Sequence, residues 1–234
     1  MNIPQLPSRS IQFFLLCLVL FSTSCNRGFK SKDFNTITDN HRLIAVLPFK
    51  MVYSGAVHER VPPDALTEIA VAESKAFQQS YLNEILRSTR GGKKSIWVNI
   101  QDIPTTLSRL DKANISIADS WDMSSQDLAR VLEVDAVVRG TIEKTQFISD
   151  VTSYGIDLGI QVIDIVTNGG ASRTLPFGNV NNKEVRASYN LTSEEDGSLL
   201  WGINYQLEAD WNMRADQLVD NINRRSARRF PYRD

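Results

Sequence analysis

The chain predicts an α+β fold, a mixed β-sheet with helices packed on it in a single domain, and three patterns carry that prediction. Leu43 to Phe49 (LIAVLPF) is a short continuous apolar run ending beside a proline, the pattern of a buried central strand. Asp64 to Arg87 places apolar side chains at helical spacing. From Ala136 onward several short runs alternate apolar and polar residues, and an Asp-Gly pair separates two of them.

The elements follow in order. Ile11 to Phe21 (IQFFLLCLVLF) is the one strongly apolar run, and it covers roughly half of the ~20 residues that span a bilayer. Arg9 precedes it, and the small residues Ser22, Thr23 and Ser24 follow. A positive start, a short apolar core and a small-residue end make a secretory signal, so residues 1–24 are set apart as a leader. Residues 25–40 are polar, without periodicity, and read as a flexible tether. Residues 41–234 are then one domain, long enough to bury a core.

Within the domain, the strand at Leu43–Phe49 is followed by a break at Val61 to Pro63. The long helix 64–87 has Leu66, Ile69, Ala70, Phe77, Tyr81 and Ile85 on one stripe, and Gly91-Gly92 is expected to end it. Ser95 to Ile100 (SIWVNI) reads as a second strand. Pro104 fits a first helical turn, with Leu107 and Leu110 at helical spacing after it. Ser124-x-x-Asp127 is a capping pattern for a short helix carrying Leu128, Val131 and Leu132.

A β-rich half follows. Ala136 to Phe147 alternates after Gly140, and Val151 to Val166 has Ile156, Leu158, Ile160 and Val162 at period two. Gly169 to Asn182 reads as a loop. Val185 to Thr192 and Leu199 to Leu207 are two strands around Glu194-Glu195-Asp196-Gly197. A helix from about Arg214 to Arg229 closes the chain, with Ala215, Leu218, Val219, Ile222 and Ser226 inward. No internal repeat is present.

Composition narrows the function. The chain is 42% hydrophobic and 23% charged, which suits a packed globule. A net charge of −1 gives no electrostatic case for nucleic acid, which is excluded as a partner. The two cysteines, Cys17 and Cys25, both lie at the start, so the domain uses no disulfide and no thiolate metal site. His41 and His58 flank the first strand without a third ligand at zinc spacing. No nucleophile elbow, phosphate loop or dinucleotide fingerprint occurs. The expectation is a protein that is not an enzyme and takes no cofactor and no metal.

Glu73 lies near the apolar stripe of the long helix, where an acid is either buried or reaches water from the stripe's edge. Glu194, Glu195 and Asp196 are oxygen donors, but they fit a solvated hairpin tip better than a cation site. Arg224, Arg225, Arg228, Arg229 and Arg233 form a basic end that suits lipid headgroups, peptidoglycan carboxylates or an acidic partner. It also suits the dipole at a helix C-terminus. Among the tryptophans, Trp97 and Trp201 fall in strands and are assigned to the core. Trp121 and Trp211 fall at element edges and are the partner-binding candidates, together with Arg224, Arg225, Arg228 and Arg229.

The sequence FSTSC, ending at Cys25, resembles the lipobox of bacterial lipoproteins, in which the cysteine is acylated and becomes the first residue of the mature chain. Ser22 departs from the leucine usual three places before that cysteine. Three further segments together resemble the pattern of a broad group of such lipoproteins: Ile44-Ala45-Val46-Leu47-Pro48-Phe49, Val134 to Ile142 (VDAVVRGTI) and Asp196 to Trp201 (DGSLLW). The group includes curli-secretion lipoproteins and lipoprotein activators of penicillin-binding proteins, and its core is similar to the amino-terminal domain of TolB. The ending Arg228-Arg229-Phe230-Pro231-Tyr232 is similar to the KKFPY close of other members. The resemblance covers about Arg42 to Tyr232 and implies a fold and an address.

That address is the bacterial envelope, at the outer membrane, lipid-anchored through Cys25 and facing the periplasm. The implied role is an adaptor or activator that binds an envelope protein. A structural homo-oligomer of a secretion or assembly complex is the alternative, followed by an envelope hydrolase. A curli-type pore is disfavoured, because Asn181 to Asn190 carries Lys183, Glu184 and Arg186 and lacks an aromatic girdle.

Overall fold

The computed structural model describes residues 28–54, 63–89, 95–144, 185–207 and 215–233, with backbone alone at 63–65 and 215–217. The leader, Cys25, His58, Gly91-Gly92, the expected strand at 151–166, the loop at 169–182 and Trp211 lie outside the described residues. The elements are β1 (Phe29–Lys30), α1 (Phe34–Thr38), β2 (Leu43–Val46), β3 (Lys50–Tyr53), α2 (Pro63–Arg87), β4 (Asn99–Ile100), α3 (Ile103–Lys112), α4 (Ile117–Ser120), α5 (Ser125–Val131), β5 (Ala136–Lys144), β6 (Val185–Ser193), β7 (Leu199–Leu207) and α6 (Ala215–Ala227). The strands form one mixed seven-stranded sheet in the order β1-β7-β6-β5-β2-β4, with β3 also paired to β5. The α+β expectation therefore holds.

Period-two alternation divides the core between the sheet's faces. Ile44 and Val46 point to one face, with Val138, Ile142, Tyr189 and Ile203, where Phe77, Tyr81 and Ile85 of α2 and Leu218 and Ile222 of α6 cover them. Ala45, Leu47 and Val137 point to the other, under Leu110 of α3 and Leu128 and Leu132 of α5. A strand with both faces covered reads as an unbroken apolar run, which is why Leu43–Phe49 shows no alternation.

The first strand is broken rather than ended by Pro48. β2 pairs parallel with the first half of β5 (Ile44 opposite Ala136), and β3 pairs parallel with the second half (Lys50 opposite Thr141). At the break, backbone groups need partners outside the ladder. Helix α2 supplies two: Gln78 Nε2 donates to the Val46 carbonyl at 2.7 Å, and the Phe49 amide donates to the Ser74 carbonyl at 3.5 Å. The displaced Phe49 ring lies on Gly140, where any Cβ would stand 2.4 Å from two ring carbons. Gly140 is thus fixed by close packing against Phe49.

Three expectations are corrected. Residues 28–40, assigned to a flexible tether, are docked on the domain: β1 pairs antiparallel with β7, and Phe34 is buried against Tyr232 in an edge-on ring contact at 5.4 Å. The sparse apolar residues of this segment anchor it, and sparse spacing hid the signal. SIWVNI forms a ladder only at Asn99–Ile100, because Ile96 bridges to Arg233 of the chain's C-terminal segment instead. Trp97, assigned to the core, is 40% exposed and packs edge-on against Tyr232. Trp201 is buried as expected.

The capping signals are realised locally. Asp102 accepts from the Thr105 amide at 2.8 Å with Pro104 in the first turn, and Ser124 accepts from the Asp127 amide at 3.1 Å. Gly197 adopts φ of 71° in the β6–β7 turn, a conformation that glycine enters without strain.

Candidate functional site

Among the described residues, no three or more His, Cys, Asp or Glu side chains gather where they could hold a metal ion. Nor is any described helix long and apolar enough to cross a membrane. The polar clusters that do form hold elements together. Asp135 accepts from the amides of Arg42 and Leu43 at 2.6 and 2.8 Å, fixing the entry of β2 beside β5. Arg139, on β5, donates to the carbonyls of Ser120, Trp121 and Met123 and so holds the α4–α5 connection to the sheet. Burial lowers its pKa, and Asp122 opposes that shift.

Glu73 is a largely buried acid. Its carboxylate accepts from Tyr53 Oη at 2.5 Å and from Lys144 Nζ at 2.7 Å, and the Glu73 and Lys144 side chains are only 15% and 11% exposed. Burial, and the Glu73 carboxylate beside it, push the Tyr53 phenol far up. A carboxylate held by an ammonium and a phenol is a tie between α2, β3 and β5.

His41 is buried beside the chain's C-terminal segment, with Nδ1 2.6 Å from Tyr232 Oη. Burial lowers the imidazole pKa, partly opposed by Asp135 and Glu195. The acids of the β6–β7 turn are also used structurally. Glu194 pairs with Arg130 at 3.1 Å, and Asp196 accepts from the Ser198 amide at 2.9 Å, which lowers its pKa.

Of the partner-binding candidates, the structure separates Trp121 from the arginines. Trp121 closes α4, packs partly buried on the main core, and keeps a buried indole N–H without a hydrogen-bond partner. The arginines lie with α6 over β7 and α2. Arg224 is engaged by Glu84 at 3.6 Å, which also pairs with Arg87 at 3.0 Å. Arg233 is half-buried, with Nε and Nη2 lacking partners, and leaves the basic end. Arg225, Arg228 and Arg229 remain on the surface at the C-terminal end of α6. Their position there is favourable to the helix dipole.

Sequence reasoning missed that β7 carries both a contact to α6 and the first described strand. The Tyr205 hydroxyl on β7 donates to the Arg225 carbonyl at 3.0 Å, and Arg229 and Arg225 both act electrostatically on that phenol. Burial raises the Tyr205 pKa and the two cations pull it back. β7 is also the strand that β1 joins, with Phe29 opposite Gly202 and Lys30 opposite Trp201. Phe29 is 51% exposed. The available signal was the pair of small residues Gly28 and Gly202, since a Cβ on Gly28 would meet the Gly202 carbonyl oxygen at 2.8 Å.

No protein-family model matches the chain, and no curated protein matches its sequence. Among solved structures it is similar to lipoprotein GNA1162 from Neisseria meningitidis, at 11% identity and a TM-score of 0.38 over 80% of this chain and 94% of that one. It is similar to the PelC dodecamer subunit from Paraburkholderia phytofirmans, at 10% identity and 0.39 over 86% and 93%. It is also similar to the C-terminal domain of LpoB from Escherichia coli, at 9% identity and 0.37 over 83% and 93%.

Proposed function

We propose that this chain is a lipid-anchored protein of the bacterial envelope, held through Cys25 and facing the periplasm, that works by binding an envelope protein. The observation that carries the reading is the sequence FSTSC, placed directly behind a charged, short apolar leader and directly ahead of the folded body. The described polar clusters support the binding role. Asp135, Arg139, Glu73 and Glu194 are each engaged by neighbouring elements. The acyl chains of such a cysteine supply stable anchoring, at about 0.8 kcal/mol per buried methylene.

The test is affinity capture from detergent-solubilised membranes with the lipidated protein and a Cys25→Ala control, read by mass spectrometry. A defined envelope enzyme or assembly factor that follows the lipidated form supports the proposal. Recovery of the protein alone, as a large multimer, refutes the adaptor role in favour of a structural assembly.

A further inference from the structure

We propose that the end of the domain where α2 and α6 finish together is the surface that takes the envelope partner, through an acidic segment of that protein. This rests on the binding role proposed above and gives it a face and a chemistry.

The two helices run parallel, and their contacts keep step at every fourth residue. Ser80 donates to Asp220 at 2.9 Å, and one turn later Glu84 stands 3.6 Å from Arg224. On the buried side, Asn223 donates to the Phe77 carbonyl at 3.2 Å and Ser226 to Tyr81 Oη at 3.3 Å. Both helices carry the same hydrogen bond one residue past their ends: Ser88 N–H to the Glu84 carbonyl and Arg228 N–H to the Arg224 carbonyl, each at 3.1 Å. Residues four apart share a helix face, so the next step of the seam sets Arg228 level with Ser88. No acid follows Glu84 in sequence before Asp102, nor Asp220 before Asp234.

Positive charge is therefore left over at this seam. Glu84 is buried and already shared between Arg224 and Arg87, the latter at 3.0 Å. Arg225 and Arg228 are exposed beside that group. Four guanidiniums meet one carboxylate, and the two helix C-termini, each equivalent to about half a negative charge, leave a surplus of about two. The whole chain has a net charge of −1, so this surplus is local. Apolar side chains lie at the same end. Leu86, in the last turn of α2, is half exposed, and exposed Trp97 meets Tyr232 edge-on at 4.7 Å, four residues beyond Arg228. Arginine and tryptophan are the residue types that carry most binding energy at protein interfaces.

Direction then selects the occupant. α6 finishes toward the end of the sheet where β2 begins: Phe230 lies 6.5 Å from Trp201, and Tyr232 meets the rings of Phe34 and His41. β1 is antiparallel to β7, so the chain read backward from Phe29 heads the other way, toward Leu207. An anchor leaving in that direction turns the arginines away from the headgroups, whose field fades over about 8 Å at physiological salt. A partner in the aqueous space meets them instead, and carboxylates are the groups that complement the surplus.

The experiment uses the lipidated full-length protein and detergent-solubilised envelope membranes. Arg228→Lys keeps the charge and supplies an amine that a zero-length carbodiimide joins to a carboxylate in contact with it; arginine does not couple. The captured complex is treated with the reagent and the joined peptides are read by mass spectrometry, with the unsubstituted protein as control. We expect an amide from position 228 to an Asp or Glu in an acidic stretch of the captured protein, absent from the control. Arg228→Glu is expected to lower capture about fivefold. Lys112→Glu, an equal charge change on α3 at the other face of the sheet, is expected to leave capture unchanged. Capture without an amide from position 228 to the partner, or without a loss in Arg228→Glu, overturns the surface and leaves the binding role standing. An equal loss in Lys112→Glu overturns it in favour of bulk charge. An amide to a second copy of this chain overturns it in favour of self-assembly, and an amide to a muropeptide in favour of a glycan. Absence of any captured protein removes the binding role itself.

Discussion

Replacing Gly140 with alanine sets two effects of opposite sign against each other. Alanine in a strand interior loses less backbone entropy on folding than glycine, so an unobstructed exchange would stabilise by roughly 0.5–1 kcal/mol. Here the new Cβ would stand 2.4 Å from two carbons of the Phe49 ring. That ring cannot retreat freely. It stacks on Phe77 at 6.0 Å and meets Tyr81 and Tyr189 edge-on at 5.7 and 5.5 Å. Overpacking of this kind costs about 1–3 kcal/mol, so the clash wins. In a chain of 234 residues each kcal/mol moves Tm by roughly 2–4 °C, giving an expected fall of about 2–12 °C. The assay is a thermal melt of Gly140→Ala, Phe49→Leu and the double variant. The double variant should lose less than the sum of the singles, because a smaller side chain at 49 relieves the contact. A stabilised Gly140→Ala, or strict additivity, would refute the claim that Phe49 is seated on Gly140.

Other perturbations follow from the same geometry. Lys144→Ala should destabilise by about 3–5 kcal/mol in a denaturant melt, since it strands the Glu73 carboxylate, while Glu73→Leu with Lys144→Met should lie nearer neutral. Arg139→Lys cannot reproduce the guanidinium fork, so hydrogen exchange should quicken at Ser120 to Ser125 with little change on β6 and β7. Burial holds the His41 pKa below its ordinary 6.5, so the unfolded chain binds that proton more readily. Its stability contribution is present above pH 6.5 and is lost as pH falls from 6.5 toward the folded value. Urea midpoints should therefore drop between pH 7.5 and 5.5, and His41→Gln should flatten the drop; an unchanged slope in the variant excludes His41 as its source.

Legibility in the sequence followed how local each signal was. Helix α2 was readable because Ala70, Phe77, Tyr81 and Ile85 recur at helical spacing, and all four are buried. The β6–β7 hairpin was readable because Asp196-Gly197 punctuates two alternating runs. β3 was not, because Pro48 mimics an end, and the groups that allow the chain to continue are Ser74 and Gln78, more than twenty residues later. The docking of residues 28–40 was hidden for a related reason. It depends on Phe34 meeting Tyr232 and on Gly28 meeting Gly202, contacts that no periodicity can report. The candidate surface was half legible. Five arginines in a short stretch were evident, but the removal of Arg224 by Glu84 and the half-burial of Arg233 come from tertiary packing.

If Cys25 becomes the acylated first residue of the mature protein, peptide mass spectrometry of the membrane-derived chain will read it. The expected result is an N-terminal peptide starting at Cys25 and carrying the mass of its acyl groups, and a Cys25→Ala variant that accumulates with its leader uncleaved. A mature chain starting at another residue, or at Cys25 with a free thiol, would contradict it.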